Sequence, residues 1–234
     1  MSDPALQPLE TFPDTDTQAQ AAADAIAAAL RSGLNARGAA AFAACGGSTP
    51  IAAYRRLSAA DLRWEAVTVV PTDERWVDPR SPESNEGLLR RDLLTGRASV
   101  ARLVSLWTAE VPLPVAAERV GLEVAAVLPF DLVLLGMGED GHFASLFPGS
   151  PALADGLDTV GGRTCVAVPS GRPAPVQARI SLTLRALLQA RRIILLISGE
   201  AKRRTLDAAL AGADLPVRAI LAQQATPVRV LWAP

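Results

Sequence analysis

Two apolar runs limit this chain more than any other feature. Phe130-Asp-Leu-Val-Leu-Leu135 and Arg192-Ile-Ile-Leu-Leu-Ile-Ser198 are each too short to be a long buried helix. Neither alternates polar with apolar residues, as a strand with one wet face would. Such runs are strands covered on both faces. Other runs rich in small or β-branched residues, Ala39–Ala44, Ala66–Val70, Cys165–Val168 and Val228–Trp232, repeat the pattern. Helical stretches stand between them: Thr17–Arg31 with Thr17 as cap and Gly33 as stop, Pro50 to about Leu57, Ser84–Leu94 capped by Ser84 or Asn85, Val115–Leu128, Ile180–Ala190, and the stretch from Gly199 to Leu210. A short edge strand is expected near Leu9–Phe12. Pro71–Pro79 is read as loop, and 152–163 and 170–175 as exposed loops. Strand and helix in alternation predict an α/β fold, an open, mostly parallel twisted sheet with helices on both faces. No shift in composition marks a linker, so residues 1–234 are read as one domain.

The charge balance narrows the partners. With 23 basic and 24 acidic residues the net charge is −1, so no global field draws the chain to nucleic acid or to an anionic membrane. No apolar run is long enough to cross a bilayer. The start, Met1-Ser-Asp-Pro-Ala-Leu-Gln-Pro8, lacks the basic and apolar regions of a secretory signal. Cys45 and Cys165 match no metal spacing and read as buried thiols, which fits a reducing cytoplasm.

Four motifs sit where predicted strands end, the edge at which open α/β sheets bind ligands. Cys45-Gly-Gly-Ser-Thr-Pro50 joins a strand to a helix. Gly46 and Gly47 let backbone amides approach an anion, and Ser48 and Thr49 add hydroxyls. The same residues would also serve as an ordinary tight turn. Asp73-Glu-Arg75 places three charges at the end of a buried strand, which folding alone does not call for. Arg75 suits a phosphate or an oxyanion, and Asp73 suits the orienting of an imidazole or a water. Gly136-Met-Gly-Glu-Asp-Gly-His-Phe-Ala-Ser-Leu-Phe-Pro148 holds the one histidine of the chain, His142. Histidine alone has an ordinary pKa near neutrality, so His142 is the single candidate for a neutral imidazole base. The Gly136-x-Gly138-x-x-Gly141 spacing imitates a dinucleotide fingerprint. However, Pro148 arrives too early for the helix that fingerprint opens, and a nicotinamide cofactor is not expected. Finally, Arg179 precedes a predicted helix. Lys202, the one lysine beside 22 arginines, lies just inside the turn after Ser198-Gly199, with an anion as its natural target.

These blocks together resemble the 6-phosphogluconolactonase family. Gly46-Gly-Ser-Thr-Pro50, Asp73-Glu-Arg-Trp-Val77, Ser84-Asn85-x-x-Leu88, the histidine block, Arg179-Ile-Ser-Leu-Thr183 and Gly199-Glu-Ala-Lys202 occur in that family's order. The resemblance implies a Rossmann-like sheet shared with glucosamine-6-phosphate deaminases. It also implies hydrolysis of 6-phospho-D-glucono-1,5-lactone in the oxidative pentose phosphate pathway, with no metal or organic cofactor. The partner is then a small sugar phosphate, and the protein a monomer or small homo-oligomer. His142, Asp73 and Arg75 are the expected catalytic residues. Gly46, Gly47, Ser48, Thr49, Arg179 and Lys202 are the expected substrate-binding residues. Cys45, Asp78 and Phe143 depart from the family's usual serine, proline and threonine. Relatives that open an amino-sugar ring usually read Ile-Ala-Phe-Asn-Glu-Pro where this chain has Phe143-Ala-Ser-Leu-Phe-Pro148.

Overall fold

The computed structural model describes residues 9–171 and 175–234. The reading of Met1–Pro8 and the middle of the 170–175 loop lie outside them. The chain begins with β1 (Leu9–Thr11), α1 (Thr15–Arg37), β2 (Ala40–Ala44), α2 (Ile51–Leu57), β3 (Val67–Pro71), β4 (Asp73–Arg75), α3 (Asn85–Asp92), β5 (Arg102–Leu103), α4 (Leu113–Ala125) and β6 (Leu132–Leu135). It continues with α5 (Leu153–Leu157), β7 (Cys165–Val168), β8 (Arg179–Leu182), α6 (Leu184–Leu188), β9 (Ile193–Ser198), α7 (Glu200–Leu210), α8 (Arg218–Leu221) and β10 (Val228–Ala233).

Seven strands form one parallel sheet in the order β1-β10-β9-β6-β2-β3-β5. From β2 the chain builds outward through β3 and β5. From β6 it builds the other way through β9 and β10. The order therefore reverses between β2 and β6, the place where a crevice opens at the carboxyl ends of such sheets. Both faces are packed. On one face Phe42, Leu132, Leu134, Ile194 and Leu196 meet α1, whose Ala19, Ala22, Ala23, Ile26, Ala29 and Leu30 are buried. On the other, Val133, Leu135, Leu195 and Ile197 meet Val120 and Val124 of α4.

A second, three-stranded antiparallel sheet, β4-β8-β7, shares that second cluster through Val166, Val168, Ile180 and Leu182. It corrects two expectations. Asp73–Arg75 is a strand, not loop, because it pairs with β8. The predicted helix 180–190 is a strand followed by a short helix that Thr183 caps through the Ala186 amide. Ile180 and Leu182 point to the core while Arg179 and Ser181 face the polar side, a period of two that the following leucines obscure. Helix α1 is also longer than expected. Asp14 caps it, accepting from the Thr17 amide at 2.8 Å, and Gly33 lies within it against Asp131 rather than ending it. The expected loop 152–163 contains α5. No helix among the described residues is long and apolar enough to cross a membrane.

At the amino end of β6, the side chain of Asp131 is 1% exposed. It accepts the Ala41 amide at 2.9 Å, pairs with Arg37 at the end of α1, and lies 3.6 Å from Arg191. One carboxylate thus ties α1, β2 and β6 at the edge opposite the crevice. Asp131→Ala leaves those donors unmatched and is expected to cost about 3–5 kcal/mol in urea unfolding, with the chemistry of the crevice unchanged in the folded fraction.

Candidate functional site

Four neighbouring strands, β9, β6, β2 and β3, bring Lys202, the histidine loop, the glycine turn and Asp73–Arg75 to one edge, and β8 of the small sheet adds Arg179. They meet around a cavity of about 270 Å³. Its lining includes Gly46, Gly47, Ser48, Thr49, Asp73, Arg75, His142, Arg179 and Lys202, every site residue singled out from the sequence. Asn85, Met137 and Ala144 also line it. Among the described residues no group of three His, Cys, Asp or Glu side chains converges as a metal site.

The loop after β2 is shaped by its glycines. Gly47 has φ 90°, open to glycine at no steric cost, and a Cβ on Gly46 would stand 1.9 Å from Asn85 Oδ1. Tyr54 Oη donates to the Cys45 carbonyl at 2.6 Å, and Thr49 Oγ1 stands 3.3 Å from Ser198 Oγ at the end of β9. Burial pushes the Cys45 thiol up to about 12, so it remains a thiol at neutral pH.

Glu74, wholly buried, explains part of the charged triplet in folding terms. Its carboxylate accepts the amides of Arg75, Asn85 and Glu86 at 2.7, 2.8 and 2.7 Å and the Ser84 hydroxyl at 2.9 Å. Ser84 in turn caps α3 through the Gly87 amide at 3.0 Å. Burial raises the Glu74 carboxyl, and these four donors oppose that rise. An anion at the amino end of α3 therefore anchors β4, which leaves Asp73 and Arg75 turned to the cavity.

Arg75 and Arg179 are register partners on β4 and β8, two like charges side by side. Arg75 donates to the Glu83 carbonyl, and the buried Nε atoms of both arginines have no hydrogen-bond partner among the described residues. Burial lowers the pKa of Arg179, an effect Asp73 opposes and Arg75 reinforces. Lys202, half-buried, forms no ion pair among the described residues. This wall offers an anion two guanidiniums, an ammonium, two hydroxyls and the amides of a glycine turn.

The imidazole lines the same cavity. His142 Nδ1 stands 2.5 Å from Asp140 Oδ1, and the ring is 26% exposed. The sequence reading gave Asp73 as a possible partner for the imidazole; that partner is Asp140, two residues away and within reach through the tight loop. Burial alone would raise the Asp140 carboxyl. The hydrogen bond and charge of His142 outweigh it and hold the group below the ordinary carboxylate range. An ionised carboxylate only accepts hydrogen bonds, so Nδ1 carries a proton, and in the neutral form of the imidazole the lone pair is the one on Nε2. Phe147 packs on the ring, centroids 4.2 Å apart, and its own ring lies 5.1 Å from the Arg179 guanidinium. The sequence offered one clue to Asp140, a carboxylate two residues before the histidine in a glycine turn.

The pair has room only because residue 138 is glycine. A Cβ there would stand 2.2 Å from His142 Nδ1 and 2.5 Å from Asp140 Oδ1. Gly138→Ala is expected to swing the imidazole out of place and lower kcat on the order of 10²-fold, with the thermal midpoint little changed. A displaced ring in the variant's crystal structure checks the cause.

Residues 13–232 match the family model described as glucosamine-6-phosphate isomerases/6-phosphogluconolactonase. A 6-phosphogluconolactonase of Caulobacter vibrioides is 45% identical over 225 residues, 96% of this chain and 97% of that protein. The crystal structure of a 6-phosphogluconolactonase from Shewanella baltica superposes with a TM-score of 0.94 at 35% identity, covering 100% of both chains. A monomeric glucosamine-6-phosphate deaminase, 21% identical, shares the fold with a TM-score of 0.78 over 97% of each chain.

Proposed function

Because the chain belongs to the family of glucosamine-6-phosphate isomerases and 6-phosphogluconolactonases, we propose that it hydrolyses 6-phospho-D-glucono-1,5-lactone to 6-phospho-D-gluconate, with His142 as the general base. The observation that carries this reading is the His142–Asp140 pair at a cavity that Arg75, Arg179 and Lys202 also line.

A lactone carbonyl is already electrophilic, so the protein has to position a water, take its proton and hold the charge that develops. The phosphate lies against the glycine turn of Gly46 and Gly47, Ser48 and Thr49, with Arg179 and Lys202. Remote binding of this kind fixes C1 relative to the base. His142 Nε2 removes a proton from the water as its oxygen bonds to C1. The resulting oxyanion is held by Arg75 and nearby backbone amides, an effect of about 3–4 kcal/mol per well-placed donor. Collapse breaks the bond from C1 to the ring oxygen. That oxygen takes the proton back from the imidazolium, and the new carboxyl ionises. Asp140 keeps Nδ1 protonated throughout and stabilises the imidazolium. Asp73 borders the same cavity, with Oδ2 3.7 Å from Arg179. The two buried free thiols support a reducing, cytoplasmic setting.

The direct test is 6-phosphogluconate formation from freshly made lactone, with and without protein, against the spontaneous rate. Glucosamine-6-phosphate serves as a control in which no ammonia is expected. His142→Ala is expected to lower kcat by about 10²–10⁴-fold with little change in KM, and Lys202→Ala to act mainly by raising KM. Near-normal turnover in the His142 variant would remove the base assignment.

A further inference from the structure

The carboxylate of Asp73 is already occupied. Oδ2 accepts the Ser145 hydroxyl at 2.5 Å, Oδ1 accepts the Thr72 hydroxyl at 3.1 Å, and Arg179 Nη1 stands 3.7 Å from Oδ2. The residue is 5% exposed. Ser145 is wholly buried, and its amide donates to Ser181 Oγ at 3.1 Å. Its side chain is thus tied to β4 and its backbone to β8.

Ser145 belongs to the turn that closes Phe143 on Leu146, directly after His142. The residue before it, Ala144, has φ 47°, in the left-handed region. An L-residue other than glycine pays roughly 1–2 kcal/mol to sit there, and such a conformation persists only where its surroundings enforce it. The two ties of Ser145 are the enforcement next in the chain. Asp140 and Phe147 then hold the ring itself.

We infer that Asp73 is a positioning residue, acting through Ser145 to hold the turn that carries His142 and touching neither the water nor the sugar. This rests on the reading of His142 as the base of a lactone hydrolase. It reassigns Asp73 within that reading, and it makes Ser145, buried beneath the cavity, a determinant of turnover.

The chain has one histidine, so protein labelled at histidine gives a single imidazole signal in NMR, read without substrate. Ser145→Ala, Asp73→Ala and the double variant are compared, with thermal melting to show that each is folded. The expected result is that the signal moves and broadens in both single variants and changes no further in the double. In all three, kcat falls on the order of 10- to 100-fold and to within about threefold of one another, while KM for Ser145→Ala stays near the parent's. Should Ser145→Ala not fold, Ser145→Cys, close in size and a weak donor, takes its place. An unmoved imidazole signal with parental kcat in the Ser145 variant overturns the inference. So does a far larger kcat loss in Asp73→Ala than in Ser145→Ala with the double variant losing the product of the two, since that marks a carboxylate on the reacting atoms. If the parent protein shows no rate above buffer, the lactonase reading fails, and the imidazole signal still tests the tie.

Discussion

All seven strands of the large sheet run in one direction, and the gathering of the site's loops at one edge follows from that. A parallel strand cannot return by a hairpin, so each must be followed by a crossover that starts at the same edge. Residues just past the ends of β2, β3, β6 and β9 therefore gather at one place although the sequence scatters them. The reversal of order between β2 and β6 separates two of these crossovers and opens the space between them. Neither the glycine turn nor the histidine loop makes the cavity alone; strand direction does, and the loops furnish it.

The second sheet adds rigidity where a bare strand edge would leave loops. Three residues of β4 carry three charges with three separate tasks. Glu74 turns inward to anchor α3, Asp73 reaches Ser145, and Arg75 faces the cavity beside Arg179. Alternation along a strand, usually described as apolar against polar, here divides one buried carboxylate from two groups on the cavity side. The acidic groups are fully hydrogen-bonded, as burial demands, whereas the guanidiniums keep buried nitrogens unmatched. Two of the three unmatched buried nitrogens among the described residues, those of Arg75 and Arg179, belong to residues that line the cavity.

The large sheet was legible because its strands are apolar runs of the right length and its helices carry recognisable ends. The four motifs were legible because glycine, histidine and charge are conspicuous after such runs. The small sheet was not. Asp73–Arg75 has no apolar residue to betray a strand, and its partner lies far along the chain at Arg179–Ser181. The leucines after Ser181 imitate a helix from Ile180 onward, and only pairing in space decides otherwise. Of the site, the nine residues singled out do border one cavity, but pairing between them was beyond the sequence. The sequence pointed only to Asp73 for orienting the imidazole or a water, and the loop geometry that brings Asp140 to Nδ1 is set in space. Asn85 showed itself only as a helix-cap candidate, while its packing on Gly46 depends on how α3 meets the end of β2.

The face-to-face arginines at 75 and 179 carry a consequence for the protein without its ligand. Two guanidiniums in register on adjacent strands repel each other, and one is part-desolvated besides. Folding must overcome that repulsion, which Asp73 partly offsets. Under the proposed reading, the phosphate of the substrate would bring two negative charges to that pair and offset the repulsion. On that reading part of the affinity would be drawn from stability, and a neutral residue at either position would make a sturdier protein with a weaker grip.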